Sequence, residues 1–351
     1  MSPASGKEKA EPLQTAAGLR AAVIGAGSWG TAFGRLLARA GSRTELICRH
    51  PAQAQAINRD HRNPDYLRDV ELPASLEAAS FEQNTLPEAD LAVVAVPSRA
   101  FREVMSGLAG RIAPQAAVLS LTKGLEPRTL LRLSQVLAEI LAAPAEERIA
   151  VLSGPNHAEE VARDIPTATV IAAGDAGLAR RLQAIISTDS FRVYVNHDVT
   201  GVELCAAAKN VIALAAGMSD GLGFGDNTKA SLITRGLAEM SRLGTAMGAD
   251  PQTFSGLAGM GDLIATCTSR HSRNRHAGEL LAQGRTPAGA ETEIGMVAEG
   301  ITSAPSLLEL SRRAGVEMPI TEQVCAVLAG KDTRQAVAEL MTRAPRSETD
   351  R

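Results

Sequence analysis

The chain has 351 residues, of which 45% are hydrophobic and 3% aromatic, and its formal net charge at pH 7 is -3. This length predicts about two domains, because single hydrophobic cores rarely grow so large. The small negative charge does not favour nucleic acid or an anionic membrane as a partner, and no apolar run reaches the roughly 18 residues of a membrane span. Four scattered cysteines without a CxxC pair indicate reduced thiols in a cytoplasmic protein, not a disulfide framework or a zinc site.

The first part of the chain alternates between strand and helix patterns. Residues 1–17 are polar and mixed in charge, which predicts a disordered tail rather than a signal peptide. From residue 18 to 198, short apolar runs predict the strands Arg20–Ile24, Thr44–Cys48, Leu91–Val96, Ala117–Leu121, Ile149–Leu152, Ala168–Ala172 and Phe191–Val195. Several runs are apolar at every position, as in strands buried on both faces of a parallel sheet. Helical patterns lie between them, and Gly41 is expected to end the first. The alternation predicts an α/β domain of the Rossmann type with a doubly wound, mostly parallel sheet.

A glycine-rich turn links the first predicted strand to the first helix. Gly25, Gly27 and Gly30 have the GxGxxG spacing of dinucleotide-binding turns. Such a turn lets the backbone approach a pyrophosphate, and the N-terminus of the helix offers N–H groups to it. Ser28 and Trp29 lie at this helix start, where Ser28 is also a suitable N-cap. The sequence therefore predicts a dinucleotide-binding site here.

The pattern changes near residue 198. From 199 to 342 strand-like runs disappear, and helical periodicity dominates in Ile233–Met247, Glu279–Leu281, Ala304–Ala314 and Thr321–Leu328. These segments predict an all-α domain, followed by a polar tail at 343–351.

Polar residues follow several predicted strands, at the edge where ligands collect in folds of this type. Arg49 and His50 come directly after the second strand. Arg49 favours the 2′-phosphate of NADP over NAD, unless it is a solvated charge. Lys123 follows another strand beside Gly124, and Gly154 follows a third, where a missing side chain admits a ligand. We expect these residues to face one crevice.

One lysine, Lys209, lies within the otherwise apolar helical stretch 204–219. Burial lowers the pKa of a lysine, so Lys209 is suited to exchange a proton near neutral pH, with Asn210 as a second polar group. The alternative is a lysine that reaches the surface or pairs with a carboxylate such as Asp262.

A cationic block at residues 269–275 is predicted to bind phosphate. Ser272 can cap a helix whose N-terminus attracts anions, and Arg273 can hold a phosphate with two N–H groups. Most basic clusters are solvated surface, but the neighbouring Asp262 and the buried Lys209 favour a polar pocket. The six histidines form no metal-binding pattern, so no metal is expected.

Together these features resemble the bacterial NAD(P)-dependent glycerol-3-phosphate dehydrogenase family. The resemblance covers about residues 19–342 and rests on separate segments in one order: Gly25–Ala32, Thr122–Glu126, Ser153–Pro155, Lys209–Val211, Gly261–Asn274 and Val297–Gly300. It implies reversible reduction of dihydroxyacetone phosphate to sn-glycerol 3-phosphate for glycerophospholipid synthesis. It also implies NADPH or NADH as cofactor, with Arg49 favouring NADPH, and a homodimer.

The resemblance implies roles for individual residues as well. Lys209 is the implied proton donor and acceptor, with Lys123 and Asp262 around the reacting carbonyl. The implied cofactor contacts are Gly25, Gly27, Ser28, Trp29, Gly30, Arg49, His50, Lys123, Ala158, Arg273, Val297 and Glu299. The implied substrate contacts are Lys123, Gly154, Asn156, Lys209, Asn210, Asp262, Ser272, Arg273 and Asn274.

Two positions depart from the family pattern, and two other functions fit parts of the sequence. Asn156 stands where Ser or Thr is more frequent, and His157 where an aromatic residue is usual. The alternatives are a related two-domain dehydrogenase of a hydroxy or oxo acid, such as a ketopantoate-type reductase, and a non-catalytic NADPH sensor. The cationic block is superfluous for an acid without phosphate, and a sensor need not bear the cost of burying Lys209.

Overall fold

The structure, a computed structural model, describes residues 16–141 and 145–344. Most of the tails predicted at 1–17 and 343–351 lie outside the described residues. Within these residues one eight-stranded sheet precedes a set of packed helices. This arrangement confirms the predicted fold class, a doubly wound α/β domain followed by an all-α domain.

The sheet is parallel apart from one pair of strands. Its members are β1 (Arg20–Ile24), β2 (Arg43–Cys48), β3 (Leu76–Ser80), β4 (Leu91–Val94), β5 (Ala117–Ser120), β6 (Ile149–Ser153), β7 (Thr167–Ala173) and β8 (Phe191–Asn196). They lie in the order β3-β2-β1-β4-β5-β6-β7-β8, and β6 and β7 are antiparallel. Ile24 is in register with Ile47 and Val94, so the carboxyl ends of β2, β1 and β4 meet at one edge. The strand order reverses between β1 and β4, which opens a crevice at this edge.

Strand β3 is absent from the predicted strands. Its sequence LEAAS alternates between buried and less buried positions and contains one large apolar residue, Leu76. As the edge strand it pairs with β2 alone, so it needs less apolar surface than a central strand. Its small residues therefore give no strong strand signal.

Among the described residues, six helices flank the sheet. They are α1 (Ser28–Arg39), α2 (Pro51–Asp60), α3 (Phe101–Leu108), α4 (Leu133–Ile140), α5 (Ala158–Val161) and α6 (Ala176–Ile186). Helix α1 buries Phe33 and Leu37, and the chain turns at Gly41, whose φ of 104° suits glycine. Successive residues of β1 belong to two different apolar clusters, one on each face of the sheet. Burial on both faces explains why the strands are apolar at every position.

The second half of the chain is helical around one central helix. Its helices are α7 (Val199–Gly221), α8 (Asp226–Ala246), α9 (Pro251–Ser255), α10 (Asp262–Thr268), α11 (Arg273–Ala282), α12 (Pro287–Ile294), α13 (Glu299–Arg313), α14 (Pro319–Leu328) and α15 (Thr333–Met341). Every residue of α7 from Gly201 to Ser219 is buried. Helix α7 is long and apolar enough to cross a membrane. The expectation that no apolar stretch reaches the length of a membrane span is therefore wrong. However, 89% of the most apolar 18-residue segment of α7 is buried inside the protein. It is a core helix.

Helices α7 and α11 cross in backbone contact. A Cβ at Gly217 would lie 1.8 Å from the carbonyl oxygen of Arg275, and one at Gly278 would lie 2.1 Å from that of Leu214. Any side chain at these two glycines would therefore push the helices apart. The close crossing fixes the start of α11, with its polar residues, over the helix that carries Lys209.

Candidate active site

A cleft of about 920 Å³ lies between the carboxyl edge of the sheet and the helical domain. Predicted site residues from both halves of the chain line it: Gly25, Gly27, Ser28, Trp29, Arg49, His50, Lys123, Asn156, Ala158, Lys209, Asn210, Ser272, Arg273, Asn274, Val297 and Glu299. Three other predicted site residues do not line the cleft but contact residues that do: Gly30, Gly154 and Asp262.

The glycines of the first turn serve different geometric needs. Gly25 has φ 110°, and a Cβ there would lie 2.6 Å from the carbonyl oxygen of Ala95. A Cβ at Gly30 would lie 1.9 Å from the carbonyl oxygen of Gly25, so Gly30 lets α1 begin directly against β1. A Cβ at Gly27 would meet nothing within 4 Å, which leaves open space beside the turn. This space is the cradle that a pyrophosphate fills in dinucleotide-binding turns, so these residues fit a nicotinamide dinucleotide.

The expectation that Ser28 caps α1 is wrong. Gly27, in an extended conformation, is the N-cap, and no side chain binds the first N–H groups of the helix. Ser28 is the first helical residue, and its Oγ lies 4.0 Å from the sulfur of Met296. The first N–H groups of α1 are thus left for an anion. Trp29 packs edge-on against Phe33, with ring centroids 5.7 Å apart.

Arg49 and His50 lie exposed at the end of β2, where the crevice begins. His50 occupies the N-cap position of α2, but its side chain makes no cap hydrogen bond. Phe81 and Glu82, directly after β3, line the same cleft. Both residues are absent from the predicted site, because β3, the strand that precedes them, is absent from the predicted strands. Arg49 occupies the position from which folds of this type bind the 2′-substituent of a ribose.

Lys209 is buried in α7, with 4% of its surface exposed. Its Nζ donates to Asp262 Oδ1 at 2.7 Å and to Thr266 Oγ1 at 2.7 Å. The Thr266 hydroxyl in turn donates to the backbone carbonyl of Asp262 at 2.6 Å. Because the hydroxyl proton is used there, a lone pair of Thr266 Oγ1 faces the Lys209 ammonium. An ammonium has three N–H groups, so one is left at the cleft. Thr266 follows Asp262 in the polar segment of the sequence, but its contact with Lys209 is not predicted, because no local pattern links residues on different helices.

Lys123 approaches the same carboxylate from the end of β5. Its Nζ donates to Asp262 Oδ2 at 2.9 Å, to Asn156 Oδ1 at 3.0 Å and to the Gly154 carbonyl at 3.3 Å. All three of its N–H groups are therefore engaged within the protein. Asp262 thus bridges Lys123 of the sheet domain and Lys209 of the helical domain. One alternative interpretation of Lys209 is that it pairs with Asp262, and the structure confirms this contact.

Burial and mutual charge set the protonation of this cluster. Desolvation lowers the pKa of Lys209 to about 8, against the attraction of Asp262 and with the repulsion of Lys123. Desolvation also opposes the ionisation of Asp262, but the charges of Lys123 and Lys209 outweigh it and hold its pKa below the usual range. Asp262 is therefore a carboxylate, and Lys209 can give up a proton near neutral pH.

The start of α11 forms a second polar wall of the cleft. Ser272 caps the helix as predicted, with its Oγ accepting a hydrogen bond from the Arg275 N–H at 3.2 Å. Its own O–H proton points elsewhere and can be donated. Arg273 is exposed, and its guanidinium makes a long contact of 3.4 Å with the Val297 carbonyl. This wall can accept an anion at a helix N-terminus.

Helix α13 is tied to both domains at its first turn. Asn274 donates to Asn210 Oδ1 at 2.9 Å and accepts the Gly300 N–H at 2.8 Å. Glu299 accepts the Ser98 N–H at 3.1 Å and the Ser98 hydroxyl at 2.5 Å, while burial raises the pKa of Glu299. Ser98 follows a predicted strand at this edge, but its pairing with Glu299 is not predicted, because 201 positions separate the two residues.

The structure holds no metal-binding cluster within residues 16–141 and 145–344. No group of three His, Cys, Asp or Glu side chains there could hold a metal ion.

Replacing Asp262 by Asn is expected to destabilise the protein by about 3–5 kcal/mol, because the buried Lys209 ammonium and the partly buried Lys123 ammonium lose their anionic partner. The free energy of unfolding measured by urea denaturation checks this. Asp69→Asn is the matched control, since Asp69 pairs with Arg163 at 2.6 Å on the surface. This variant should leave the free energy of unfolding nearly unchanged, because both charged groups are exposed to solvent. Similar losses in the two variants would contradict the role of Asp262 as the buried counter-ion.

Comparison with known proteins identifies the family. The model of the NAD-dependent glycerol-3-phosphate dehydrogenase N-terminus matches residues 20–179, and that of the C-terminus matches residues 198–339. A glycerol-3-phosphate dehydrogenase (NAD(P)+) from Parafrankia sp. is 52% identical over 330 residues, which cover 94% of this chain and 98% of that protein. The crystal structure of glycerol-3-phosphate dehydrogenase from Coxiella burnetii has a TM-score of 0.88 and 38% identity, covering 93% of this chain and 99% of that one.

A more distant likeness concerns the fold alone. A ketopantoate reductase family protein from Ralstonia eutropha has a TM-score of 0.55 at 18% identity. The family models match both halves of the chain, and the relatives match it over nearly their whole length. The chain belongs to the NAD-dependent glycerol-3-phosphate dehydrogenase family.

Proposed function

We propose that this chain reduces dihydroxyacetone phosphate to sn-glycerol 3-phosphate, reversibly, with a nicotinamide dinucleotide as hydride carrier and Lys209 as proton donor. Membership of the family supports the reaction. The observation that carries the role of Lys209 is its setting: a buried ammonium, held through two N–H groups, with the third at the cleft. The product would supply the backbone of glycerophospholipids.

The positions of three charged side chains support a different role for each: Lys209, Asp262 and Lys123. A reduced nicotinamide bound in this cleft would supply a hydride to the ketone carbon, so negative charge would develop on the carbonyl oxygen. The free N–H of Lys209 binds that oxygen and transfers its proton, which a pKa of about 8 permits near neutral pH. Asp262 orients Lys209. Lys123 contributes positive charge and position rather than a proton, because its N–H groups are engaged.

The start of α11 is the proposed phosphate site. Ser272 offers a hydroxyl, Asn274 an amide, and Arg273 an exposed guanidinium beside the helix N-terminus. Anchoring the phosphate there would hold the ketone near the free N–H of Lys209. A hydroxy-acid or oxo-acid substrate without phosphate would leave this wall unused.

Replacing Lys209 by Met should lower kcat for dihydroxyacetone phosphate by about 10²–10⁴-fold, the usual contribution of a general acid. Methionine keeps the apolar stem and removes the ammonium. Rates are followed as NADPH absorbance with saturating cofactor, and thermal unfolding checks the fold. Unchanged turnover in a folded Lys209→Met protein would refute the proposed role.

The matched control for this variant is Lys229→Met. Lys229 is another paired lysine of the helical domain, 2.8 Å from Asp220, and it does not line the cleft. Its variant should retain the parental rate. A panel of oxo acids tests the alternative dehydrogenases, and cofactor binding without turnover of any ketone would favour a sensor.

The two directions of the reaction should have opposite pH profiles. Reduction needs Lys209 as an ammonium, so kcat/KM for dihydroxyacetone phosphate should fall as pH rises through about 8. Oxidation of glycerol 3-phosphate needs the neutral amine, so its kcat/KM should rise through the same value. Initial rates over a pH series measure both. Profiles that move in the same direction would contradict a single titrating lysine.

The cofactor is proposed to be NADPH in preference to NADH. Arg49 supports this choice, since it is an exposed cation at the end of β2 and lines the cleft. His50 beside it can add a second donor, and the open space at Gly27 suits the pyrophosphate common to both cofactors.

Changing Arg49 to Asp should weaken NADPH binding by about tenfold or more, because a charge-assisted bond to the 2′-phosphate is lost. NADH binding should change much less. Dissociation constants for both cofactors, measured by fluorescence titration, test this. Arg43→Asp is the control, since Arg43 is exposed at the opposite end of the same strand. Equal loss for both cofactors in Arg49→Asp would refute a 2′-phosphate contact.

The cellular setting is proposed to be the cytoplasm, which the four free cysteines support, three of them buried. The homodimer implied by the family resemblance stays a prediction. Measurement of the mass in solution decides it.

A further inference from the structure

We propose that Asn63 is a positioning residue for the cofactor, because its buried amide fixes both the glycine-rich turn and a neighbouring loop that lines the same part of the cleft. This proposal rests on the proposed binding of a nicotinamide dinucleotide at that turn. Asn63 is 1% exposed and does not itself line the cleft. Its effect on the cofactor would therefore pass through the residues that do.

The side-chain nitrogen of Asn63 binds the turn and the first helix. Nδ2 donates to the Ala26 carbonyl at 3.0 Å and to Thr31 Oγ1 at 2.8 Å. Ala26 lies between Gly25 and Gly27 in the turn, and Thr31 is a buried residue of α1. One amide group thus joins the turn to the helix that follows it.

The side-chain oxygen of Asn63 binds the loop 61–75, which connects α2 to β3 and contains neither helix nor strand. Oδ1 accepts the N–H of Asp65 at 3.0 Å and that of Tyr66 at 3.2 Å. Both of these residues line the cleft beside the turn. Backbone N–H groups can only donate and the Ala26 carbonyl can only accept, so these partners allow the amide a single orientation.

Gln53 reinforces the contact with the turn from α2. Its Nε2 donates to the Ala26 carbonyl at 3.3 Å and to Asn63 Oδ1 at 3.2 Å. The Ala26 carbonyl therefore accepts from two side-chain amides, and both of these side chains are buried. Moving this carbonyl would leave polar groups unpaired in the protein interior, which opposes any rearrangement of the turn.

The turn needs this restraint because of its glycines. A Cβ at Gly27 would meet nothing within 4 Å, and glycine places little steric limit on the peptide that joins it to Ala26. In a planar trans peptide the carbonyl and the following N–H point in opposite directions. Holding the Ala26 carbonyl toward Asn63 therefore directs the Gly27 N–H away from it. A turn that is ordered before the pyrophosphate arrives binds it more tightly, because less ordering remains to occur on binding.

The test compares the variants Asn63→Asp and Asn63→Ser in the full chain. Aspartate keeps an oxygen for the loop but turns a second oxygen toward the Ala26 carbonyl, whereas serine removes the amide without adding a charge. Both variants should raise the Kd of NADPH and of NADH by about tenfold and by the same factor, because the Ala26 carbonyl loses a buried hydrogen bond. Fluorescence titration measures both constants. At saturating cofactor, kcat and KM for dihydroxyacetone phosphate should stay near the parental values.

The matched controls are Asn58→Asp and Asn58→Ser. Asn58 also pairs its amide with the backbone, since it donates to the Ala78 carbonyl at 2.8 Å and accepts the Ala78 N–H at 2.7 Å. This contact lies at β3 rather than at the turn, and Asn58 does not line the cleft. Its variants should bind both cofactors as the parent does. Thermal unfolding of the cofactor-free proteins separates lost stability from lost affinity, and Asn63→Ser decides the test if Asn63→Asp does not fold.

Three results would overturn the positioning role of Asn63. The first is a parental Kd for both cofactors in a folded Asn63 variant. The second is a weakening confined to NADPH, which would place the effect at the 2′-phosphate. The third is an equal loss of affinity in the Asn58 variants. Failure of the proposed function is separate, because the titrations contain no ketone and that failure would appear as full turnover in Lys209→Met.

Discussion

A single buried carboxylate, that of Asp262, holds two lysines that arrive from different domains. Lys123 comes from the end of β5 and Lys209 from the middle of α7. The buried Lys209 ammonium and the partly buried Lys123 ammonium both need an anion in contact, which brings the sheet edge, α7 and α10 together. With the Glu299–Ser98 pair, this contact holds the helical domain over the crevice and shapes the cleft.

The same cluster sets the electrostatics of the cleft. Two ammonium groups and one carboxylate leave one positive charge beside the space where a carbonyl oxygen would become negative. The two lysines are not equivalent, because Lys123 donates all three of its N–H groups to protein acceptors, whereas Lys209 donates two. In the proposed reaction this difference in hydrogen bonding makes Lys209 the proton donor and leaves Lys123 as a fixed positive charge.

Sequence patterns predict those parts of this arrangement that have local causes. The first turn needs glycine within a few residues because of contacts with its own strand and helix, as the approach of Gly30 to the Gly25 carbonyl illustrates. Lys209 stands out as one charge in an apolar helix, and Ser272 is a cap directly before its helix. Strands buried on both faces reveal themselves by composition. The fold class and most of the cleft wall follow from such signals.

The remaining parts depend on contacts between residues far apart in the sequence, or on a shift of one residue in the position where a helix begins. Ser98 meets Glu299 across 201 positions, and Thr266 acquires its role through a lysine on another helix. Strand β3 is stabilised by pairing with β2 rather than by its own apolar residues. The N-cap falls on Gly27 instead of Ser28, because the tight turn keeps the chain extended up to that residue. No local pattern distinguishes these cases.

Pairing and catalysis appear as competing explanations of Lys209 in the sequence, but in the proposed mechanism they are compatible, because the Asp262 contact keeps Lys209 charged. A buried lysine without Asp262 would rest as a neutral amine and have no proton to give. With Asp262 it remains an ammonium, while burial keeps its pKa at about 8 instead of near the usual 10.5. The same burial separates the ammonium from water.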